Sequence, residues 1–180
     1  MKPFVLLDRD GVLNVDLPGS LCSLADLRMI PGSAEAVRLL GEKGYGVLVI
    51  TNQACVGRGD LSADHLEEIH QSMNERIEVA SGRIDGWFVC AHRVEDGCEC
   101  RKPHPGLIRD ACRKFGFDPE RTYFVGDAGR DVEAARAAGC IPVLVRTGKG
   151  MKAAAEHPEV EIHEDLLAFA KSLVPAEGAR

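Results

Sequence analysis

Short apolar runs alternate with amphipathic stretches along most of this chain. Between the runs, apolar residues recur at helical spacing, as at Leu66, Ile69 and Met73. Strands that alternate with helices form parallel sheets covered by helices on both faces. The sequence therefore predicts an α/β fold with a doubly wound parallel sheet. The predicted strands are Phe4–Leu7, Val47–Ile50, Trp87–Val89, Tyr123–Val125 and Ile141–Val145, with an edge strand from Val160 and a closing helix over 164–174.

Chain length and composition narrow the class of protein further. We expect one domain over residues 1–180, and the gaps between predicted elements are too short for a separate lid domain. The net charge of −6 argues against nucleic acid as a partner, and no apolar run approaches the roughly 20 residues that span a membrane. Seven cysteines, three of them crowded together, favour a reducing cytoplasm over a disulfide framework. The predicted assembly is a monomer.

Polar residues follow three of the predicted strands. Asp8 and Asp10 follow the first, Thr51 the second, and Asp127 the fourth, with Asp131 four residues later. Ligands of parallel sheets bind beyond the carboxyl ends of the strands, where these side chains converge. Carboxylates gathered this closely need a divalent cation, and oxygen ligands suit Mg²⁺. The alternative, that Asp8 and Asp10 are only turn and cap residues, is weakened by the polar ends of the other strands.

Two further residues have the chemistry of a phosphate site. Thr51 offers a hydroxyl group and a backbone amide at a strand end. Lys102 is the lysine of the polar stretch before a helix that begins near Pro105, and its ammonium group suits a transferring phosphoryl group. Taken alone, Thr51 is better explained by an ordinary turn and Lys102 by a solvated charge. Together with the carboxylates, they predict phosphoryl chemistry.

A cluster of cysteine and histidine residues lies in the middle of the chain. Two ligand-X-ligand pairs are separated by five residues, in a segment too polar to be core. In an extended segment, residues two apart project to the same side, so each pair can bind one ion. Three thiolates and one imidazole predict a closed, structural Zn²⁺ site, although iron also accepts thiolates. The predicted ligands are Cys90, His92, Cys98 and Cys100.

These motifs resemble those of the haloacid dehalogenase superfamily of phosphatases, whose fold is Rossmann-like. The resemblance covers Asp8 to about Gly148 and is carried by Asp8-Arg9-Asp10-Gly11, Ile50-Thr51-Asn52-Gln53, the Cys-His-Cys-Cys cluster and Cys100-Arg101-Lys102-Pro103. It is closest to a minimally capped branch with a zinc loop. That branch includes heptose bisphosphate phosphatases and histidinol-phosphate phosphatases.

The resemblance implies a mechanism and a role for each motif residue. Asp8 would attack phosphorus to give an aspartyl-phosphate, and Asp10 would protonate the leaving group and then activate water. The implied phosphate-binding residues are Thr51, Asn52 and Lys102. The implied Mg²⁺ ligands are Asp8, the backbone carbonyl of Asp10, and Asp127, with support from Asp131.

The loop after the second strand favours a bisphosphorylated sugar as substrate. Arg58 lies in an Arg-Gly pair that resembles the heptose enzymes, where it would meet a second phosphate, and Arg101 is a further substrate-binding candidate. The resemblance therefore implies removal of the C7 phosphate of D-glycero-D-manno-heptose 1,7-bisphosphate. Histidinol phosphate is the alternative substrate, and a catalytically silent protein that binds phosphorylated metabolites is a third possibility. Ala54-Cys55 and Ala128 depart from the family pattern, and the first of these departures leaves the anomer preference and the substrate identity open.

Overall fold

Within residues 2–176, the sheet is built from six parallel strands. The computed structural model describes residues 2–176 and confirms the predicted α/β class. The strand order is β3-β2-β1-β4-β5-β6, so the chain reverses its direction of winding between β1 and β4. A ligand site is expected at this switch point. The strands are β1 Phe4–Leu7, β2 Gly46–Asn52, β3 Gly86–Cys90, β4 Tyr123–Gly126, β5 Ile141–Val145 and β6 Glu161–His163.

Helices cover both faces of the sheet. Their bounds are α1 Ser33–Glu42, α2 Ala54–Gly57, α3 Ala63–Val79, α4 Gly106–Phe115, α5 Gly129–Ala138, α6 Gly150–Glu156 and α7 Leu166–Ser172. Alternate residues of β1 enter different cores because successive strand side chains point to opposite faces. Val5 and Leu7 pack with α1, α3 and α7, whereas Leu6 packs with α4 and α5. The strands are thus buried from both sides.

Local signals in the sequence place several helix ends correctly. Ser62 caps α3, where its Oγ accepts a hydrogen bond from the backbone N–H of His65 at 3.1 Å. Gly139 ends α5 in the left-handed conformation, with φ of 79°. The predicted edge strand and closing helix are present as β6 and α7.

Two features near the switch point differ from the prediction. Strand β2 continues through Thr51 and Asn52, which were expected to follow it, because both residues pair with β3. The short helix α2 follows at once, and its four residues are too few to show a periodicity. Within residues 2–176, no helix is both long enough and apolar enough to cross a membrane.

Candidate active site

Asp8 lies directly after β1, at the switch point of the sheet. Its backbone N–H donates to the carbonyl of Val125 in β4, and its Oδ1 accepts from the N–H of Arg9 at 2.7 Å. Lys102 Nζ lies 2.8 Å from the same oxygen. Among the described residues, no hydrogen-bond partner reaches the buried Oδ2. Asp8 therefore has one oxygen held in place and one available for a ligand.

Asp127, after β4, and Asp131, in the first turn of α5, complete a cluster of three carboxylates with Asp8. One oxygen from each lies within 4.8 Å of the others, and all three residues are buried. Asp131 Oδ2 accepts from the N–H groups of Asp127 and Ala128 at 3.2 and 3.0 Å. Asp131, expected only in support, is thus a full member of the cluster.

Burial and mutual repulsion raise the pKa of two carboxylates of this cluster, Asp127 and Asp8. Burial and the neighbouring Asp8 carboxylate raise the pKa of Asp127 to about 7. Burial likewise raises the pKa of Asp8 above its ordinary value, although Lys102 opposes the change. Oδ1 of Asp127 is buried and, within residues 2–176, lacks a hydrogen-bond partner, like Oδ2 of Asp8. Hard oxygen donors in this state fit a divalent cation such as Mg²⁺.

Two glycines make room for Asp127. A Cβ on Gly11 would lie 2.0 Å from Asp127 Oδ2, and one on Gly148 would lie 2.1 Å from the same atom. Both glycines have positive φ, at 82° and 57°, so any side chain there would strain the backbone as well. The backbone N–H of Lys149 donates to Asp127 Oδ2 at 2.8 Å. The backbone therefore closes around this carboxylate.

Lys102 bridges two of the three carboxylates. Its Nζ lies 2.8 Å from Asp8 and 2.8 Å from Asp131, and it donates to the carbonyl of Ile50 at 2.8 Å. Burial would lower the pKa of Lys102, but Asp131 and Asp8 raise it above the ordinary value. The Asn52 amide pairs with both backbone groups of Lys102, at 3.0 and 3.1 Å. This contact positions the lysine, whereas a contact between Asn52 and phosphate stays a prediction.

The side chain of Asp10 lies outside the cluster of three carboxylates and has its own hydrogen-bond donors. Its Oδ1 accepts from Arg9 and Asn14, each at 2.9 Å, and its Oδ2 accepts from Gln53 at 2.8 Å. Burial would raise the pKa of Asp10, but the Arg9 guanidinium and these hydrogen bonds lower it overall. Only the backbone carbonyl of Asp10 thus remains as its expected Mg²⁺ ligand. These contacts hold the Asp10 carboxylate in its anionic form and in one orientation.

Gln53 connects Asp10 to Thr51. Its Nε2 donates to Asp10 and also to Thr51 Oγ1, at 2.9 Å. Gln53 was predicted only as a member of the motif Ile50-Thr51-Asn52-Gln53, with no role of its own. The signal for this role is its position two residues after Thr51. These contacts link the Asp10 carboxylate and the Thr51 hydroxyl through one amide nitrogen.

The cysteine and histidine residues after β3 converge as predicted. Sγ–Sγ distances among Cys90, Cys98 and Cys100 are 3.3, 3.4 and 3.6 Å. His92 Nδ1 lies 3.2 Å from Cys100 Sγ and 3.7 Å from Cys90 Sγ. A tetrahedral zinc ion with Zn–S bonds of about 2.3 Å places its sulfurs about 3.8 Å apart. The four groups therefore fit one Zn²⁺ ion with a small outward adjustment.

The protonation of these thiols also indicates a cation site. Burial and hydrogen bonds that it donates to Cys90 and Cys98 raise the pKa of Cys100 to about 12. Burial alone would raise the pKa of Cys98, but hydrogen bonds, led by the one from Cys100, lower it to about 7. Three thiols this close ionise together only around a cation. Arg101, next to the last ligand, donates to the carbonyl of His92 at 3.3 Å.

A polar cleft of about 570 Å³ opens above Asp10. Arg58 lies at its rim, 43% exposed, and its Nε pairs with Asp60 at 2.7 Å. An exposed ion pair is weak, so this arginine can exchange its carboxylate partner for a phosphate. Lys149 Nζ pairs with Asp16 at 2.6 Å. The remaining cations at the rim are Arg101 and Arg130.

Arg130 was missed by the sequence analysis. It lies in the first turn of α5, with its NH2 group 4.0 Å from Asp8 Oδ2. Its pKa is raised, because the carboxylates led by Asp8 outweigh the effect of burial. The only sequence signal was its place between Asp127 and Asp131, which a helical surface charge would share.

Comparisons with known proteins agree with this geometry. A family model described as HAD-hydrolase-like matches residues 99–169. D-glycero-β-D-manno-heptose-1,7-bisphosphate 7-phosphatase from Pseudomonas aeruginosa is 39% identical over 96% of this chain and 98% of its own length. The same-named protein from Bordetella bronchiseptica is 39% identical over 94% and 97% of the two chains.

Solved structures give the same result. The crystal structure of D,D-heptose 1,7-bisphosphate phosphatase from B. bronchiseptica, complexed with magnesium and phosphate, is similar with a TM-score of 0.91. The two chains are 38% identical, and the match covers 94% of this chain and 96% of the B. bronchiseptica chain. The enzyme from Burkholderia thailandensis has a TM-score of 0.74 at 36% identity, over 94% and 97% of the two chains. This chain therefore belongs to the D-glycero-β-D-manno-heptose-1,7-bisphosphate 7-phosphatase family of haloacid dehalogenase-like hydrolases.

Proposed function

We propose that this protein removes the C7 phosphate of D-glycero-D-manno-heptose 1,7-bisphosphate by way of an aspartyl-phosphate on Asp8. One observation carries the proposal: a buried Asp8 with one oxygen fixed by Lys102 and the other beside a cation site, under a cleft rimmed by arginines. Relatives 38–39% identical over nearly their whole length bear the name of this activity.

In the first step, a carboxylate oxygen of Asp8 attacks phosphorus, and the bond from phosphorus to the C7 oxygen breaks. Lys102, 2.8 Å from Asp8, offsets the charge on the phosphoryl oxygens, and Thr51 donates its hydroxyl to one of them. Asp10 gives a proton to the leaving alkoxide. Asp10 is poised as an anion, so we expect it to take up that proton when the dianionic phosphate binds beside it.

In the second step, Asp10 removes a proton from a water molecule. The water oxygen attacks phosphorus and the Asp8–phosphorus bond breaks, which releases inorganic phosphate and restores the Asp8 carboxylate. Asp8, Asp127 and the Asp10 backbone carbonyl would hold Mg²⁺, with Asp131 beside them. When bound, Mg²⁺ supplies positive charge that allows the anionic phosphate to approach the three carboxylates.

The zinc loop has a positioning role in this proposal. Its four ligands end immediately before Arg101 and Lys102. Bound Zn²⁺ would fix the path of this loop and thereby the depth of Lys102 in the site. Arg101 and Arg58 are the proposed contacts of the second phosphate, because both line the cleft above Asp10.

The test is phosphate release in the presence of Mg²⁺ from heptose 1,7-bisphosphate and from histidinol phosphate, with each heptose anomer assayed separately. The expected product is heptose 1-phosphate, identified by the phosphorus resonance that remains. Preference for histidinol phosphate would contradict the proposed substrate and leave the Asp8 mechanism standing.

The proposed setting is a monomer in the reducing cytoplasm. Support comes from the seven cysteines, which form no disulfide, and from the thiolates that the zinc loop needs. Gel filtration coupled to light scattering measures the assembly, and a mass near 39 kDa, twice 19.5 kDa, would show a dimer instead.

A further inference from the structure

Arg9 is a fully buried arginine beside the proposed acid and base. Its side chain is 0% exposed. NH2 pairs with Asp10 Oδ1 at 2.9 Å, and NH1 lies 3.3 Å from His70 Nε2. Within residues 2–176, its Nε has no hydrogen-bond partner. A buried guanidinium group with an unused donor is costly, so its position calls for a function.

His70 contacts Arg9 at NH1, the terminal nitrogen that does not pair with Asp10. Its ring, on α3, is buried and stacks on Trp87 with centroids 4.2 Å apart and planes 15° from parallel. Trp87 Nε1 in turn donates to Asn74 Oδ1 at 3.1 Å. Burial and the nearby guanidinium lower the pKa of His70 to about 3. The ring is therefore neutral, and its Nε2 accepts the hydrogen bond from Arg9.

These contacts hold the Asp10 carboxylate in one orientation. Arg9 and Asn14 donate to Oδ1, and Gln53 donates to Oδ2. A general acid or base acts only within about 2.6–3.2 Å of the atom that gains or loses the proton. A carboxylate free to rotate would spend much of its time out of that range.

We propose that Arg9 is a positioning residue, anchored by His70, that orients Asp10 for proton transfer to the leaving group. The guanidinium group of Arg9 contacts Asp10 and His70, so its proposed role is to act through Asp10 and not on the substrate itself. The inference rests on the proposed function, in which Asp10 is the acid. It adds the stacked pair of His70 on α3 and Trp87 on β3 to the parts of the molecule that determine the rate.

The experiment compares two substrates whose leaving groups differ in their need for a proton. An alkyl phosphate such as the heptose ester needs a proton on its leaving oxygen, whereas p-nitrophenyl phosphate does not. kcat/KM for both substrates reports the step in which the leaving group departs. We expect Arg9→Met to lower kcat/KM for the heptose ester about 10- to 100-fold and for the aryl ester less than about 3-fold.

His70 variants test the anchor with less change to the core. His70→Phe keeps the ring stacked on Trp87 and removes the acceptor, whereas His70→Gln keeps an acceptor. We expect His70→Phe to lower the ratio of heptose to aryl kcat/KM about 5-fold and His70→Gln to restore most of it. Ile69→Val, a buried apolar change on the same helix, is the control for stability and should leave the ratio unchanged.

Thermal unfolding confirms that each variant is folded. If folded Arg9→Met and His70→Phe lose activity equally on both esters, or lose none, the positioning role is overturned. If the wild type hydrolyses a different alkyl phosphate, the substrate assignment is wrong, and the ratio is measured with that ester. If the variants lowered kcat/KM for that alkyl ester more than for the aryl ester, the result would still support the role of Arg9.

Discussion

At the scale of single residues, Lys102 is a buried cation that pairs with two buried carboxylates. It lies between Asp8 and Asp131, and all three side chains are at most 3% exposed. Removal of one partner from a buried ion pair costs about 3–5 kcal/mol because the other charge is left uncompensated. The same lysine is the proposed contact of the transferring phosphoryl group. Stability and catalysis therefore depend on one side chain.

We expect Lys102→Met to lower kcat about 100- to 1,000-fold, the range for loss of a group that stabilises developing charge. The unfolding free energy should fall as well, but less in Mg²⁺, because the cation replaces part of the missing charge. Steady-state kinetics and urea unfolding with and without Mg²⁺ measure both effects. A folded variant with wild-type kcat would remove Lys102 from the proposed mechanism. Lys114→Met, on the surface helix α4, is the matched control.

Asp127 makes the stability of the metal-free protein depend on pH. Burial and Asp8 raise its pKa from 3.8 to about 7, so between these values the folded state binds more protons than the unfolded state. Unfolding free energy therefore falls as pH rises through this window, by on the order of 4 kcal/mol.

Denaturant unfolding from pH 4 to pH 8, with chelator and with Mg²⁺, checks this sign. Asp127→Asn should flatten the metal-free profile, and Mg²⁺ should flatten the wild-type profile by favouring the charged carboxylates. A metal-free wild type that gains stability with pH over the same window would contradict the account of the carboxylate cluster.

At the scale of elements, the loop after β3 depends on its metal ligands more than on packing. Among its ligands, Cys98 and Cys100 are only half-buried, in a polar segment. We predict about one zinc per chain and expect Cys98→Ser to lose the zinc, lower the melting temperature and lower activity together. Metal analysis, calorimetry and the phosphatase assay measure the three effects.

Cys112→Ser is the matched control for the zinc loop, because Cys112 lies in α4 and donates to the carbonyl of Phe117. It should retain its zinc. Unchanged activity in zinc-free Cys98→Ser would show that Lys102 is positioned without the metal.

Elements with strong local patterns could be predicted from the sequence. The bounds of β1 and β5 match the prediction, since both are continuous apolar runs. Strand β2 was predicted too short because Thr51 and Asn52 are polar, yet they pair with β3 at the sheet edge that binds ligands. Polar residues at the end of a buried strand have no signal in a hydrophobic pattern, and α2 is shorter than two helical turns.

The residues of the candidate site likewise divide into those with a local sequence signal and those without one. Asp8, Asp10, Asp127 and the cysteines were found because they follow strands or repeat at ligand spacing. His70 was not, because its helix shows only an apolar stripe and its contact with Arg9 joins residues 61 positions apart. Contacts across such separations depend on how α3 packs on the sheet, which no local pattern specifies.

At the scale of the whole molecule, the residues of the candidate site meet at the switch point between β1 and β4. It brings together Asp8 from the start of the chain, Lys102 from the zinc loop and Asp127 after β4. We propose that substrate choice depends on residues that line the cleft, chiefly Arg58 and Arg101, through contacts with the part of the substrate that does not react.

Rim arginines should affect substrate binding more than chemistry. We expect Arg58→Ala to raise KM for heptose 1,7-bisphosphate about 10-fold with little change in kcat, while kinetics with a heptose 7-monophosphate stay unchanged. The monophosphate lacks the second phosphate that Arg58 is proposed to meet. Equal effects on both substrates would assign Arg58 to loop structure instead, through its pair with Asp60.

The most direct test of the central claim is phosphate release from heptose 1,7-bisphosphate in Mg²⁺ by the wild type and by Asp8→Asn. We predict rapid release of one phosphate, leaving heptose 1-phosphate, by the wild type and no turnover by the variant. Asp8→Asn should still fold, since asparagine keeps the oxygen that faces Lys102. Turnover by folded Asp8→Asn, or wild-type preference for histidinol phosphate, would contradict the nucleophile in the first case and the substrate in the second.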